Sequence, residues 1–557
     1  MGSRYDHLNR EELLRLLEAR DRRYAETKFG LVWEADDIER ERVRNADFVA
    51  LDVAPELSCG SAPWRNLIIE GDNFDALRHL RMCFSGQVKC IYIDPPYNTG
   101  NRDFVYNDRF VDKEDSWRHS KWCEFMFQRL MIARDLLKQD GVIVVSIDDN
   151  EMATLRLLMN RVFGEGNFVA TFVWKKVDSP NDNKVAITPD HEFIVCFALS
   201  ASSVKFAQMS APHIVEAYGS TDELGRRCRD RLLKKNGKNS LRKDRPTMFF
   251  PLTDPDGQEV FPIHDNGEEA RWAMGRPGIA KHEAAGSLIW KRRSKQGKVG
   301  WEPYTREFAP DDPARPYPTI WSDLPTMRQA KALLRDIFHT ADLFSTPKPI
   351  ELIERILNLT CGPNDLVLDF FAGSGTTAHA VHKLNAEDGG RRRVILVSST
   401  EATGDAPDKN LCRDVCATRV RRVIEGYTPA GGEPVPGLGG DFAYLRTRRI
   451  PAARLLEIDH AQVWTALQLM HGFALTSYVK GSFAWAGDED EAVMFLPRFR
   501  REDLPSLRRQ LKRSAAVALY SWQPSAVEQH LRAGHVTHLQ IPETLARRFG
   551  LGQGGKR

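Results

Sequence analysis

No stretch of this 557-residue chain approaches the run of about eighteen apolar residues that a membrane-spanning helix needs. Its amino terminus, with Arg4, Asp6, Arg10, Glu11 and Glu12, is nothing like a signal peptide, so a cytoplasmic location is expected. Cysteine is sparse and irregular: there are nine, and Cys412 and Cys416, four apart on an expected helix, lack the second ligand pair of a zinc site. No metal is expected, and the thiols read as reduced and structural. Neither a Gly-x-x-x-x-Gly-Lys-Ser/Thr phosphate loop nor a helicase block occurs, which excludes ATP-driven movement as an activity of this chain. Net charge is lacking as well: a formal +3 is nearly neutral for this size, so any nucleic-acid surface has to be local. The composition, 42% apolar and 28% charged, is that of a soluble globular chain too long for one hydrophobic core.

What is present is organised around residues 88–100. The run Ile91-Tyr92-Ile93 has the β-branched and aromatic character of a buried parallel strand, and it stops at Asp94 before two prolines that cannot continue a ladder. Asp94 and Tyr97 therefore belong just past the carboxyl end of a strand, where open α/β sheets bind ligands. Pro95 and Pro96 fix the backbone so that the Asp94 carboxylate, the Pro95 carbonyl and the Tyr97 ring hold a nearly constant relation. A second apolar strand, Leu366-Val-Leu, runs into Asp369. It is followed by Phe370-Phe371-Ala372-Gly373-Ser374-Gly375 and a helix beginning near Thr376. Glycines in such a turn let backbone approach a ligand closely, and the helix amino end favours negative charge.

Asp-Pro-Pro-Tyr followed later by Phe-Ala-Gly-Ser-Gly-Thr resembles the β group of DNA amino-methyltransferases, in which the catalytic motif precedes the S-adenosylmethionine motif. Lys28 to Glu34, Asn98-Thr99-Gly100 and Ser146 to Glu151 resemble Mod subunits of Type III restriction-modification systems. The resemblance covers residues 25–405. It implies an α/β, Rossmann-like S-adenosylmethionine-dependent methyltransferase core with an inserted target-recognition domain and extra terminal modules. The expected organisation is an N-terminal helical segment (1–60), a catalytic half (61–200), the insert (201–315), a cofactor half (316–405) and a C-terminal module of unknown role (406–557). Implied roles are catalysis by Asp94, Pro95, Pro96 and Tyr97, and cofactor binding by Asp72, Asn73, Lys348, Asp369, Phe370, Phe371, Ala372, Gly373, Ser374, Gly375, Thr376 and Glu401. By spacing alone, Asp72 could simply cap a helix.

Within the insert, residues 222–245 carry ten Lys or Arg against four Asp or Glu, and 291–298 carry five bases and no acid, with Trp272, Trp290, Trp301 and Tyr304 interspersed. Two basic runs with aromatics suggest a phosphate-contacting surface. Residues 101–116 read as a polar loop over the site, and 8–28 as an amphipathic helix with Asn9 and Glu12 as its capping pair. The expected activity is methyl transfer to adenine N6 of a flipped base in double-stranded DNA. Homodimerisation and a separate restriction subunit are expected with it. Cytosine N4 as target, an orphan enzyme and a non-catalytic DNA-binding subunit are the alternatives, and a Rossmann dehydrogenase accounts for the glycine turn but not for Asp-Pro-Pro-Tyr.

Overall fold

Ten strands form one mixed sheet, and the direction in which each runs decides which residues meet. The computed structural model describes residues 9–15, 17–18, 47–106, 109–112, 118–178, 187–295, 298–340, 343–403 and 406–550. Contacts divide the chain into a body, residues 1–206 with 318–557, and an insert, residues 207–317.

In the body the strands are β1 (Phe48–Val53), β2 (Leu67–Glu70), β3 (Val88–Ile93), β4 (Leu137–Ile147), β5 (Phe168–Lys175), β6 (His191–Ala198), β7 (Ile320–Trp321), β8 (Leu366–Asp369), β9 (Arg393–Ser398) and β10 (Ala443–Ile450). Their order across the sheet is β1-β10-β2-β9-β8-β3-β4-β6-β5-β7. From β10 to β4 every neighbour is parallel. β6 then runs antiparallel to both β4 and β5. The central strands are largely apolar because helices cover both faces: Cys90, Ile91, Val367 and Leu368 are fully buried. Each such side chain contributes about 1.5–3 kcal/mol relative to exposure.

Several helices hold this sheet. Helix α1 (Asn73–Phe84) starts at Asp72, whose carboxylate accepts from the Phe74 and Asp75 amides at 2.9 and 3.3 Å, so the capping role is real. Helix α2 (Arg118–Leu136) follows β3, and α3 (Ile350–Thr360) leads into β8. Helix α4 (Thr376–Asp388) leaves the glycine turn, and α5 (Thr418–Glu425) continues from a π-helical turn at Cys412–Ala417.

Several expected boundaries shift. The segment 1–60, read as helical, contains strand β1, and among the described residues α-helix occurs at 10–15 and 17–18. There Asn9 and Glu12 exchange backbone-to-side-chain bonds of 2.9 Å as a capping box. The Mod-like residues 28–34 lie outside the described residues. Residues 101–106 and 109–112 form an antiparallel hairpin where a loop was expected. The expected module 406–557 is not separate: β10 sits between β1 and β2 in the main sheet. Beyond it a four-stranded sheet forms from Ala484–Gly487, Glu491–Leu496, Ala516–Ser521 and Val536–Gln540. Its Val493, Phe495 and Tyr520 join the same core as β1, and Phe549 packs on Phe48 with ring centroids 4.7 Å apart. Local periodicity carries no information on such long-range pairing.

The insert has its own four-stranded sheet, in which Arg227–Leu232, Lys298–Phe308 and Leu288–Lys295 are the longer strands. A small core of Leu233, Phe250, Trp272 and Ile279 supports it. Met209–Ser210 pairs antiparallel with Ala314–Arg315 where the insert begins and ends.

Candidate active site

Because β2, β9, β8 and β3 are adjacent and parallel, the residues after each strand share one edge of the sheet. Asp72 follows β2, Ser399 to Glu401 follow β9, Asp369 to Gly375 close β8, and Asp94 to Tyr97 follow β3. The two motifs picked from sequence are thus next-door neighbours although 272 residues separate Asp94 from Leu366.

At the end of β3, Trp122 of α2 donates its indole N–H to the Pro96 carbonyl at 2.7 Å, fixing the double-proline turn. Asn98 takes a left-handed conformation, φ 57°, and its amide donates to the buried Glu151 at 2.6 Å. The Tyr97 hydroxyl lies 2.8 Å from Asp94 Oδ1 and 3.0 Å from Glu192 Oε2. Having a single proton, it serves one of these carboxylates at a time. Lys348 Nζ approaches Asp94 Oδ2 at 2.9 Å and Glu192 Oε2 at 3.3 Å, and stands 5.0 Å from the centroid of the Tyr97 ring. Lys176 completes the group, 3.4 Å from Glu192 Oε1.

Two carboxylates and two ammonium groups compensate one another, but their surroundings differ. Burial pushes the Asp94 carboxyl above its ordinary range, although the Lys348 charge opposes this. Burial also works on Glu192, yet there Lys348 and Lys176 together prevail and hold it below its ordinary value. Lys348 is itself raised: burial acts against its charge and the two acids outweigh burial. The Asp94 side chain keeps 22% of its surface and Glu192 only 3%, so Asp94 is the acid open to an incoming molecule.

Neither Glu192 nor Lys176 was singled out from sequence. Glu192 begins β6, and only because that strand is reversed does its start reach the edge where the others end. Lys176 follows β5, which runs with the parallel set again. A polar residue at the mouth of an apolar strand was visible; the strand's direction was not.

The glycine turn is built differently. Asp369 accepts from the Phe371 amide at 3.0 Å and from the Thr377 hydroxyl at 2.5 Å, and burial pushes its carboxyl up to about 7. Asn73 donates to the Phe370 carbonyl at 3.0 Å, tying α1 to this turn. Arg129 of α2 in turn donates to Asn73 at 2.6 Å, lies 3.5 Å from Asp72, and stacks 3.6 Å over the Phe125 ring. Gly373 and Gly375 have φ of 48° and 78°, which favour glycine. A Cβ on Gly373 would meet the Phe344 ring at 2.9 Å, and one on Gly375 the Cys416 carbonyl at 3.1 Å. At both glycines the protein itself packs closely. Ser374 and Thr376 are buried and receive bonds of 3.0 and 2.8 Å from Arg419. Burial pulls that guanidinium down to about 10. Arg419 lies in the segment expected to be a separate module.

Glu401 is left-handed, φ 52°, nearly half exposed, and paired with Lys409 at 2.8 Å. The acid ordered into the neighbouring strand end is Glu70, which accepts from Tyr444 and from Asn410.

A carboxylate and an aromatic fixed by prolines thus stand beside a glycine turn at the carboxyl edge of an open sheet. Residues 88–390 match the family model described as DNA methylase, N6_N4_Mtase, and the chain belongs to that family. The StyLTI Mod subunit of a Type III restriction-modification enzyme from Salmonella typhimurium is 33% identical over 359 residues, covering 60% of this chain and 53% of that protein. The EcoPI Mod subunit from Escherichia phage P1 is 32% identical over 439 residues, covering 70% and 66%. The Type II methyltransferase M.KpnI of Klebsiella pneumoniae is 35% identical over 347 residues, covering 59% and 79%. The chain spans about half to two thirds of the length of these two Mod subunits. No helix among the described residues is long and apolar enough to cross a membrane.

Proposed function

We propose that this chain is a site-specific DNA methyltransferase that moves a methyl group from S-adenosylmethionine to adenine N6 of a flipped base. The observation that carries this reading is the partly open Asp94 carboxylate, held by Tyr97 and Lys348 one strand away from the glycine turn. An exocyclic amine conjugated to its ring is a poor nucleophile; a carboxylate accepting its N–H bonds favours a pyramidal nitrogen with an available lone pair. Asp94 does this, with the Pro95 carbonyl as second acceptor, and Tyr97 offers its ring for stacking. N6 faces its pairing partner in a duplex, so the base is extruded at a cost of a few kcal/mol, partly offset by these contacts.

The residues at the edge fit the cofactor. Asp72 keeps 45% of its side-chain surface and can accept from polar groups of the adenosine, while Phe371 supplies apolar lining next to a turn whose backbone is locked by Asp369 and Arg419. When bound, the cofactor supplies an electrophilic methyl on a sulfonium sulfur, which keeps the bonding pair as the methyl leaves for nitrogen, and nitrogen gives up one proton. Asp94, with its raised proton affinity, is placed to receive that proton. Positioning of donor and acceptor in line supplies most of the acceleration.

The relatives named as Mod subunits of Type III restriction-modification enzymes support a role in modification; cleavage by a separate subunit and a homodimeric chain are part of the proposal. Asp before Pro-Pro-Tyr favours adenine over cytosine N4. The test is radiolabelled methyl transfer to DNA followed by nucleoside analysis. Label in N6-methyladenine, reduced about 10³-fold in Asp94→Ala with cofactor affinity retained, is expected. Label in N4-methylcytosine would overturn the adenine assignment, and no label in DNA the methyltransferase reading itself.

A further inference from the structure

We infer that Glu192 is a positioning residue for methyl transfer, giving the Lys348 ammonium a second seat so that Asp94 can receive the substrate amine. This rests on Asp94 being the amine acceptor.

The two seats are both on the page. Lys348 Nζ is bound between Asp94 Oδ2 at 2.9 Å and Glu192 Oε2 at 3.3 Å, so a small displacement transfers it from one to the other. In the arrangement seen here the cation sits closer to Asp94. An amino group and an ammonium both donate hydrogen, and both want the same carboxylate oxygens; an acid already neutralised by a close cation is a weaker acceptor for a neutral N–H. For Asp94 to act on an amine, the cation has to withdraw. Expelling a buried ammonium into an uncharged pocket would be prohibitive, whereas passing it to a waiting carboxylate keeps it paired throughout.

Glu192 is suited to wait. It is 2% exposed, so it touches no incoming molecule directly. Lys176, 3.4 Å from its other oxygen, is a second cation beside it. The Tyr97 hydroxyl lies nearer Oδ1 of Asp94, at 2.8 Å, than Oε2 of Glu192, at 3.0 Å, so the oxygen that Lys348 vacates, Oδ2, is the one opened to the amine.

The test uses the full chain with S-adenosylmethionine and DNA. Glu192→Gln keeps the size and one acceptor oxygen but cannot seat an ammonium as a carboxylate does. We expect kcat to fall about 10²-fold, with cofactor Kd and the KM for DNA within about twofold. Glu192→Asp, which restores the charge, should recover much of kcat. Adding Lys348→Met to Glu192→Gln should raise kcat above that of Glu192→Gln alone, because the competing cation is gone. Wild-type activity on DNA is the control on which the functional reading stands or falls. Given that activity, a Glu192→Gln kcat within twofold of wild type, or a loss that Glu192→Asp does not relieve, overturns the inference. Should the Gln variant fail to fold, Glu192→Asp alone decides: it is expected to retain kcat within about tenfold, and a fully inactive but folded Glu192→Asp protein overturns the inference.

Discussion

Two charged clusters in this molecule use the same kinds of residue for opposite ends. At the edge of the main sheet, Asp94, Glu192, Lys348 and Lys176 meet with side-chain exposures between 3% and 22%. In the insert, Lys291, Arg292 and Arg293 pair with Asp230, Asp256 and Glu302 at 2.9, 3.3 and 3.4 Å, and the three bases keep 45% to 63% of their surface. The run that looked uniformly basic in sequence is therefore laced with acids brought in by neighbouring strands and turns. Burial makes the first cluster a device in which moving one charge disturbs all the others. Exposure makes the second a set of separable charges whose net field is smaller than its Lys and Arg content implies.

The sharpest way to break this contrast is to remove one lysine from each. Lys348→Met leaves two buried acids short of their shared cation and should cost about 3–5 kcal/mol in denaturant unfolding. Lys291→Met, whose partner Asp230 is also held by Arg306 at 2.8 Å, should cost under about 1 kcal/mol. Equal losses would mean that burial does not separate the clusters.

A buried acid without a cation extends the comparison. Asp369, raised to about 7 from 3.8 by burial, holds a proton in the folded state that the unfolded chain has released. Its stabilising contribution is full below about pH 4 and is lost as pH rises toward 7, amounting to a few kcal/mol across that window. Asp369→Asn should therefore flatten unfolding free energy measured from pH 4 to 7; an unchanged slope would assign the pH dependence elsewhere.

Next in size is Gly375→Ala. It places a Cβ 3.1 Å from the Cys416 carbonyl at φ 78°, and should destabilise by about 1–3 kcal/mol. Gly389→Ala, also left-handed at φ 68° but facing open space, should cost less, and thermal unfolding of the pair isolates the packing part.

The smallest effect is expected in the insert. Changing Lys291, Arg292 and Arg293 to Gln should lower the slope of DNA affinity against salt by less than three unpaired phosphate contacts would give. A drop of the full amount would show that DNA displaces the acidic partners.

Much of the site could be read before the structure because it is written locally. Apolar runs ending at Asp94 and Asp369, punctuated by Pro-Pro and by Gly-Ser-Gly, name both strand ends without any knowledge of neighbours. What escaped was set by distant pairing. Glu192 matters because β6 is reversed, Arg419 because α5 packs beside the glycine turn, and β10 because it inserts between β1 and β2. None of these leaves a period or a breaker in the sequence. The bond from Arg129 to Asn73 is of the same kind, joining polar residues on separate helices.

The short ribbon at the root of the insert has a consequence for how such a protein can change. Met209–Ser210 and Ala314–Arg315 clasp the departing and returning chain together. Everything between them is in effect one long loop whose ends are already joined, and the entropy of closing a loop grows only with the logarithm of its length, about 0.6 kcal/mol per doubling. A replacement of quite different size could be carried on the same clasp at little thermodynamic penalty. An insert of another size can then be exchanged while β5, β6 and β7 keep their register, so the segment between the clasped ends is free to diverge without disturbing the sheet.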